Sequence, residues 1–248
     1  MSKSICLFGF HSIESSLINN PESIVKVLIQ SNRKDKRALE LMNTLTRQKI
    51  PFFSSDKNAL DRIAKGEAHQ GVISEVILPP LLNEESLIKS ISENSSKLLL
   101  LVLDSIQDPR NLGACLRSAN AAGVDYVVIN KDGSAPINSL VHKTSAGAIN
   151  SLKIFHVTNL SRTIKDMQKR GIWVIGLDGD SKSTIYDVNL TDATAIVMGT
   201  EGKGIRRLIK ENCDQIVSIP MSGNIESLNV SVATGIALFE SKRQREST

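Results

Sequence analysis

Three separated segments of the sequence place amides, carboxylates, arginines and glycines directly after apolar runs. They are residues 108–117, 198–204 and 219–232. Each run has the length of a buried strand, and each segment leads into a pattern of helical period. Open α/β sheets bind ligands at such strand-to-helix turns. The pattern therefore predicts that the three segments form parts of one ligand-binding site.

In the first segment, the apolar run 98–103 predicts a buried strand, and a helix follows it. The helix is indicated by apolar or small residues at helical spacing, namely Leu112, Cys115, Leu116 and Ala119. Asn111 is the expected N-cap, and Gly123 lies just past the end. Arg117 lies about 140° around the helix from Leu112 at ~100° per residue, so we expect it off the buried face. A solvated surface charge is the alternative.

The second segment follows the apolar run 195–198 and contains three glycines, which let a backbone approach a ligand closely. It is not a Walker phosphate loop, because Lys203 is followed by glycine instead of a hydroxyl residue. Glu201 would repel a phosphate, so the turn favours a ligand with cationic or hydrogen-donor character. A plain turn is the alternative. A helix is predicted over 205–209.

The third segment begins where the predicted strand 216–219 ends at Pro220. The helix that follows is indicated by a stripe of apolar or small residues, Leu228, Val232, Gly235, Ile236 and Phe239. Ser227 is the expected cap of this helix. Serine and asparagine side chains here could also serve capping alone.

Together the three segments resemble the signatures of the SpoU, or TrmH-like, class of RNA ribose 2′-O-methyltransferases in the SPOUT superfamily. The likeness covers residues 98–243, and the run 222–235 is its most specific part. A shorter likeness, at residues 9–11 and 69–71, is to the small RNA-binding domain of the class. Within the class, the sequence is most similar to bacterial enzymes that methylate a guanosine of 23S ribosomal RNA in the peptidyl-transferase region.

The resemblance implies an α/β fold in which a small RNA-binding domain precedes a C-terminal SPOUT domain with a trefoil knot. It also implies S-adenosylmethionine as cofactor and a homodimer. The expected cofactor contacts, largely through the backbone, are Gly199, Ile219 and Leu228. The expected catalytic residues, which match the polar positions of the family's motifs, are Asn111, Arg117, Glu201, Ser227 and Asn229.

In such a reaction the sulfonium is already a good leaving group, so the protein must align the ribose oxygen with the methyl carbon. Orientation contributes on the order of 7–11 kcal/mol, whereas a general base gives ~10²–10⁴-fold. Arg117 matches the family's candidate base, but a guanidinium with a pKa above ~12 is a poor base. We expect it to hold the target phosphate and stabilise charge on the oxygen. Asn111 and Asn229 would fix the ribose and Arg117, and Glu201 would orient Arg117 or the loop.

The composition agrees with an RNA partner without requiring one. The chain has 248 residues, 41% of them hydrophobic, and a net charge of +4, so it has material for one or two cores. The densest basic cluster, residues 33–37, is a candidate contact for RNA phosphates, and a solvated helix end is the alternative. Three cysteines and four histidines lack the spacing of a disulfide framework or a metal site. The short apolar run at the amino terminus and the lack of an 18-residue apolar stretch predict a cytoplasmic protein without a membrane partner.

Two domains are predicted. Strand-like stretches at 5–8, 25–30, 51–53 and 71–73 alternate with helical patterns and give an α/β domain over 1–74. Residues 75–97 are predicted as linker and leading helix: 77–85 contains paired prolines, and Leu87, Ile88 and Ile91 have helical spacing. Residues 98–248 form the predicted catalytic domain. Two other functions stay open, a related methyltransferase that acts on transfer RNA and a non-catalytic RNA-binding protein.

Overall fold

A computed structural model describes residues 4–94, 97–223 and 227–247 of the chain. The backbone forms two compact units. The first comprises Met1–Pro80 and Ile137–Ser151, and the second comprises Leu81–Pro136 and Leu152–Thr248. Each unit has a β-sheet and a hydrophobic core of its own.

The first unit contains a four-stranded sheet with the order β1–β4–β2–β3, in which β4 is antiparallel to both neighbours. Its strands are β1 (Ser4–Phe8), β2 (Ile24–Gln30), β3 (Phe52–Ser55) and β4 (Val72–Ile77). Its helices are α1 (Phe10–Asn19), α2 (Lys36–Arg47), α3 (Lys57–Ala64) and α6 (Ser139–Thr144). The four strands predicted for this region are confirmed, and β4 continues to Ile77 because its residues pair with β1 as far as Ser4.

Successive side chains of each strand point to opposite sides of the sheet, and apolar side chains are buried on both sides. Val27 of β2 packs in one core with α1 and α2, whereas the next residue, Leu28, packs against the α3 residues Leu60 and Ala64 on the other face. Helices α2 and α3 start in the same way. Asp35 accepts a hydrogen bond from the Ala38 amide at 3.1 Å, and Asp56 does the same for Ala59 at 2.9 Å.

A short helix from the middle of the sequence completes the first unit. Asn138 caps α6 by accepting hydrogen bonds from the amides of Leu140 and Val141, both at 3.1 Å. The helix packs against β1. In the turn that follows α6, the hydroxyl of Ser15 donates to the carbonyl of Ala146 at 3.2 Å. Sequence patterning gave no clear structure for this stretch, because capping and contacts with α1 and β1, rather than a long apolar stripe, hold it.

The second unit contains a seven-stranded sheet whose pairings are all parallel, in the order β11–β9–β10–β6–β7–β8–β5. Its strands are β5 (Leu82–Asn83), β6 (Leu99–Leu103), β7 (Tyr126–Asn130), β8 (Lys153–Val157), β9 (Trp173–Leu177), β10 (Thr194–Met198) and β11 (Gln215–Val217). Its helices are α4 (Glu84–Ser92), α5 (Pro109–Ala122), α7 (Leu160–Gln168), α8 (Arg207–Glu211) and α9 (Val230–Glu246). No helix in the described ranges is long and apolar enough to cross a membrane.

The strand order brings the predicted site segments to one edge of this sheet. The central strand β6 pairs with β10, and β9 lies between β10 and β11. All are parallel, so the loops after β6, β10 and β11 leave from the same edge. This arrangement supports the expectation that the three segments meet.

The predicted linker over 77–85 is wrong in part. Leu82 and Asn83 form the edge strand β5, which pairs with Phe155 and His156 of β8. Asn83 then caps α4 in a reciprocal arrangement with Ser86. The paired prolines stop regular structure only before Leu82. The predicted leading helix is confirmed as α4, because Leu87 and Ile91 are buried in the core of the second unit.

We expect the stability of the first unit to fall in acid because of His142. Burial lowers the pKa of His142 to about 4, although a contact with Asn150 opposes this. The unfolded state takes up the proton near pKa ~6.5, so stability is full above that pH and is lost as the pH falls towards 4. Melting temperatures between pH 7.5 and 4.5 should therefore decline less for His142→Gln than for wild type, by about 5 °C. The matched control is His11→Gln, whose side chain is 89% exposed; an equal decline in all three proteins would contradict the assignment.

Candidate active site

The loop after β10 is closed by its own backbone. Thr200 and Gly204 exchange amide-to-carbonyl hydrogen bonds of 3.0 and 2.9 Å. A Cβ atom on Gly199 would overlap the carbonyl group of Gly204 and the amide nitrogen of Ile205. Glycine is therefore required at position 199 by the close approach of the loop to itself. We call residues 199–205 the glycine loop.

Asp104 binds the chain at both ends of the glycine loop, through its buried carboxylate at one end and its backbone amide at the other. Asp104, the first residue after β6, is fully buried. It accepts hydrogen bonds from the backbone amide of Arg206 at 3.0 Å and from its Nε at 2.7 Å, and its own amide donates to the carbonyl of Met198 at 2.8 Å. Met198 before the loop and Arg206 after it are thus both hydrogen-bonded to Asp104. Sequence reasoning missed this pair, whose only signal is an acidic residue directly after a buried strand.

Three of the predicted catalytic residues form a cluster of two amides and one carboxylate. Oε2 of Glu201 accepts from Nδ2 of Asn111 at 3.1 Å and from Nδ2 of Asn229 at 3.4 Å. Asn229 also donates to Oδ1 of Asn111 at 3.0 Å. Each residue comes from a different segment of the chain. We call Asn111, Glu201 and Asn229 the amide–carboxylate cluster.

Three details of the predicted helix starts are wrong. Asp108 caps α5 by accepting from the Arg110 amide at 2.8 Å, which leaves Asn111 in the first turn with its side chain directed to Glu201. Asn229, not Ser227, caps α9, because its Oδ1 accepts from the amide of Ser231 at 2.9 Å. The helix predicted over 205–209 is α8, Arg207–Glu211, and it begins later because Asp104 holds the amide of Arg206.

A cavity of about 340 Å³ opens beside the glycine loop, a volume within the ~300–1,000 Å³ of small-molecule sites. The three predicted cofactor contacts Gly199, Ile219 and Leu228 all line it, together with Glu201 and Ser227. Residues 224–226, which belong to the most specific part of the family resemblance, lie outside the described residues.

The lining of this cavity suits an S-adenosylmethionine molecule. Apolar side chains, including Leu177 and Val230, and the backbone of the glycine loop can hold an adenine. The carboxylates of Asp178, Asp180 and Glu201 also line the cavity, and they attract a positively charged ligand and repel a phosphate. Lys203 also lines the cavity, and Nζ of Lys210 lies 2.9 Å from Asp178, so lysines balance the three carboxylates only in part. The charge of the lining therefore agrees with a cationic ligand.

Arg117 lies on the exposed face of α5, as predicted. It is not among the residues that line the cavity, and no hydrogen bond or ion pair joins it to another residue of the described ranges. The partners of Glu201 are the two asparagines, so Glu201 positions amides rather than Arg117. The role of Arg117 stays a prediction.

The other face of α5 is packed against α9. Cys115 Sγ lies 3.4 Å from Oγ1 of Thr234, and both side chains are buried. Burial raises the pKa of the Cys115 thiol to about 11, so this thiol is not available as a thiolate near neutral pH. Its contribution is to fix the helix that carries Asn111 and Arg117.

We expect Asp104→Asn to disturb the cavity as well as the fold. The change leaves the Arg206 guanidinium, 53% exposed, without its counter-charge, and should lower the free energy of unfolding by about 2 kcal/mol. Affinity for S-adenosylmethionine, measured by calorimetry, should fall at least about tenfold because the glycine loop loses its anchor. Glu84→Gln is the matched control: it breaks the Glu84–Arg162 pair, two hydrogen bonds of 3.0 Å in the same unit, and should cost less than ~1 kcal/mol with unchanged affinity. Wild-type affinity in Asp104→Asn would contradict the anchoring role.

Comparison with solved structures identifies the same fold. The SpoU methyltransferase AviRb from Streptomyces viridochromogenes, solved in complex with AdoMet, matches 99% of this chain and 92% of its own with a TM-score of 0.77 and 23% identity. The A. aeolicus TrmH/SpoU tRNA modifying enzyme is 31% identical, with a TM-score of 0.57, and covers 66% of this chain and 85% of its own.

Sequence comparison gives the family. Residues 6–80 match the model described as RNA 2′-O ribose methyltransferase substrate binding, and residues 98–239 match the SpoU rRNA Methylase family. The proteins named 23S rRNA (guanosine-2′-O-)-methyltransferase RlmB from Haemophilus influenzae and Escherichia coli K12 are 47% and 43% identical to this chain. Each match covers 96% of this chain and 97–98% of the relative. The chain belongs to the SpoU rRNA methylase family.

Proposed function

We propose that the chain transfers a methyl group from S-adenosylmethionine to the 2′-hydroxyl of a guanosine ribose in 23S ribosomal RNA, in the peptidyl-transferase region. One observation carries this proposal: relatives named for that reaction are 43–47% identical over 96% of the chain. The likeness thus includes the region that matches the substrate-binding model as well as the catalytic one. We assign substrate binding to residues 1–74 and catalysis to residues 98–248, joined by residues 75–97. The compact units have other bounds, because β4 extends the first unit to Pro80 and residues 137–151 pack with it.

The cofactor would occupy the cavity beside the glycine loop. Gly199, Ile219 and Leu228 would hold it through backbone and apolar contacts, and the acidic lining would balance its positive charge. Bound S-adenosylmethionine supplies an activated methyl group. The trefoil knot expected from the family would account for how chain segments far apart in sequence wall one cavity.

The amide–carboxylate cluster would position the ribose. The side chains of Asn111 and Asn229 are already held by Glu201 and by each other, so little side-chain entropy remains to be lost when substrate binds. Orientation of the reactants lowers the barrier by on the order of 7–11 kcal/mol. Such preorganisation would therefore contribute more to the rate than a general base. Ser227, at the cavity wall, would contact the substrate beside them.

Arg117 would contribute charge. Its exposed guanidinium has no partner among the described side chains, so its fork is available to a phosphate of the RNA. From there it would stabilise the negative charge that grows on the ribose oxygen as its proton leaves. This role needs no loss of a proton from the guanidinium.

The proposal includes a homodimer in the cytoplasm. Support for a partner subunit comes from α9, on which Val232 and Phe239 are seven residues apart and about half exposed, so that they lie on one face of the helix. A tRNA methyltransferase is the competing function, and the tRNA modifying enzyme from A. aeolicus covers only 66% of this chain. The near-full-length match to RlmB proteins supports 23S RNA instead.

Mapping of methylated RNA tests the substrate. Purified protein, incubated with S-adenosylmethionine and unmodified 23S and transfer RNA transcripts, should yield a single 2′-O-methylguanosine in the 23S transcript by mass spectrometry. Asn111→Ala should bind cofactor with wild-type affinity yet lose activity about 10²–10³-fold, because the ribose is no longer positioned. Methylation of transfer RNA alone would establish the competing function, and cofactor binding without any product would indicate a non-catalytic protein.

The dependence of rate on pH tests the role of Arg117. We expect Arg117→Ala to lower kcat by about 10²–10³-fold, while the shape of the pH–rate profile is retained. Arg110→Ala, which removes a second exposed arginine from α5, should leave kcat near that of wild type. If activity rises with an apparent pKa that disappears in Arg117→Ala, the arginine is a base and the electrostatic role is wrong.

A further inference from the structure

A second cavity, of about 470 Å³, opens in the first unit, and none of the residues assigned to cofactor binding or catalysis lines it. We call it the basic pocket. It lies where β2 ends and α1, α2 and α3 begin. Its lining includes Phe10, Gln30, Arg33, Arg37, Lys57 and Gln70. The lining holds three side chains with permanent positive charge and no carboxylate.

The two arginines of the basic pocket are held in place from behind. The guanidinium carbon of each lies 4.8 Å from the ring centroid of the buried Phe10. Arg37 donates from Nε and Nη2 to the carboxylate of Glu14 at 2.9 and 2.8 Å. Arg33 donates from Nε to Asp35 and from Nη1 to the carbonyl of Gln70. These contacts fix both guanidinium groups before any ligand arrives.

Each cation keeps a donor for a ligand. Nη2 of Arg33, Nη1 of Arg37 and Nζ of Lys57 have no hydrogen-bond partner within the described ranges. Glu14 and Asp35, which bind the other nitrogens, do not line the cavity. A phosphate in the basic pocket would therefore meet three free donors, while Glu14 and Asp35 balance part of the charge of the two arginines from outside the cavity lining.

The loop that carries Gln70 is held in an unusual backbone conformation. Gln70 and Gly71 have φ values of 51° and 76°, and a Cβ atom on Gly71 would overlap Nη1 of Arg33. His69 stabilises this turn, because its Nδ1 accepts from the Gly71 amide at 3.0 Å and its Nε2 lies 2.8 Å from Asp61. Such conformations persist where surrounding contacts determine them, often at binding sites.

Two side-chain amides complete the basic pocket. Gln30 and Gln70 each carry an amide with donors and an acceptor, the groups that the edge of a nucleobase requires, and Oε1 of Gln70 also accepts from the amide of Phe10 at 3.4 Å. A volume of about 470 Å³ exceeds the space that an isolated phosphate needs. RNA recognition commonly targets unpaired nucleotides, whose bases are free to make these contacts.

We infer that the basic pocket binds one unpaired nucleotide of the RNA substrate, its phosphate on Arg33, Arg37 and Lys57 and its base on Gln30 and Gln70. The inference rests on the proposed function in taking RNA as the substrate class. It adds a defined nucleotide site, remote in sequence from the methyl-transfer residues. This site would favour RNA in which an unpaired nucleotide can enter the pocket.

Two lysines provide a matched test in the full-length protein. Lys57 and Lys36 are each the first residue of a helix, directly after a capping aspartate, but only Lys57 lines the basic pocket. Of the basic cluster 33–37, only Arg33 and Arg37 line the pocket, so we assign the 91% exposed Lys36 to the alternative, a solvated helix end. Binding of a fluorescent 12-nucleotide single-stranded RNA is measured by anisotropy at several salt concentrations. Lys57→Gln should raise Kd about tenfold and lower the salt slope by ~0.7, whereas Lys36→Gln should change Kd less than twofold. Arg37→Lys, which keeps the charge but removes the fork, should also raise Kd several-fold.

The outcomes separate the two proposals. Equal effects of Lys57→Gln and Lys36→Gln, or wild-type Kd in both Lys57→Gln and Arg37→Lys, would overturn the pocket whatever RNA the enzyme modifies. In methylation of the 23S transcript, Lys57→Gln should raise KM and leave kcat unchanged. A wild-type protein that binds the oligonucleotide through the pocket but does not methylate 23S RNA would instead overturn the proposed function and leave the pocket supported.

Discussion

The buried carboxylate of Asp104 determines the geometry on which the candidate active site depends. It lies at the end of the central strand and holds the returning chain at Arg206, while its amide holds Met198 at the end of β10. A charge without solvent is unfavourable unless it is fully paired. The glycine loop therefore has few alternatives to the conformation in which Asp104 is satisfied, and that conformation forms one wall of the cavity.

From this anchor the rest of the site follows through short contacts. The fixed glycine loop presents Glu201, Glu201 accepts from the amides of Asn111 and Asn229, and Asn229 in turn caps α9. A residue that we propose to orient substrate is thus also the residue that caps a helix. Precision of this kind suits a reaction in which alignment, rather than proton transfer, is the main contribution.

Much of the fold could be predicted from the sequence, and the exceptions have physical causes. The run 98–103 identified the central strand, and spacing placed Arg117 on the exposed face of α5, because both depend on local periodicity. The capping residues were misassigned because Asp108 and Asn111, like Ser227 and Asn229, are all competent caps and only tertiary contacts select among them. Asp104 and Arg206 are 102 residues apart, so no local pattern could reveal their pairing. The basic cluster 33–37 was visible in the sequence, but the cavity it lines depends on the loop at Gln70.

The first unit is assembled from two pieces of chain, and α6 packs against β1, the strand nearest the amino terminus. A nascent polypeptide cannot complete that unit until residue 151 has left the ribosome, well after residue 80 has been made. Until then, the part of the first unit that ends at Pro80 lacks the helix that covers β1, while the central strands of the second sheet are synthesised. A fragment cut at the end of the first sheet would therefore lack α6, the helix that packs against β1.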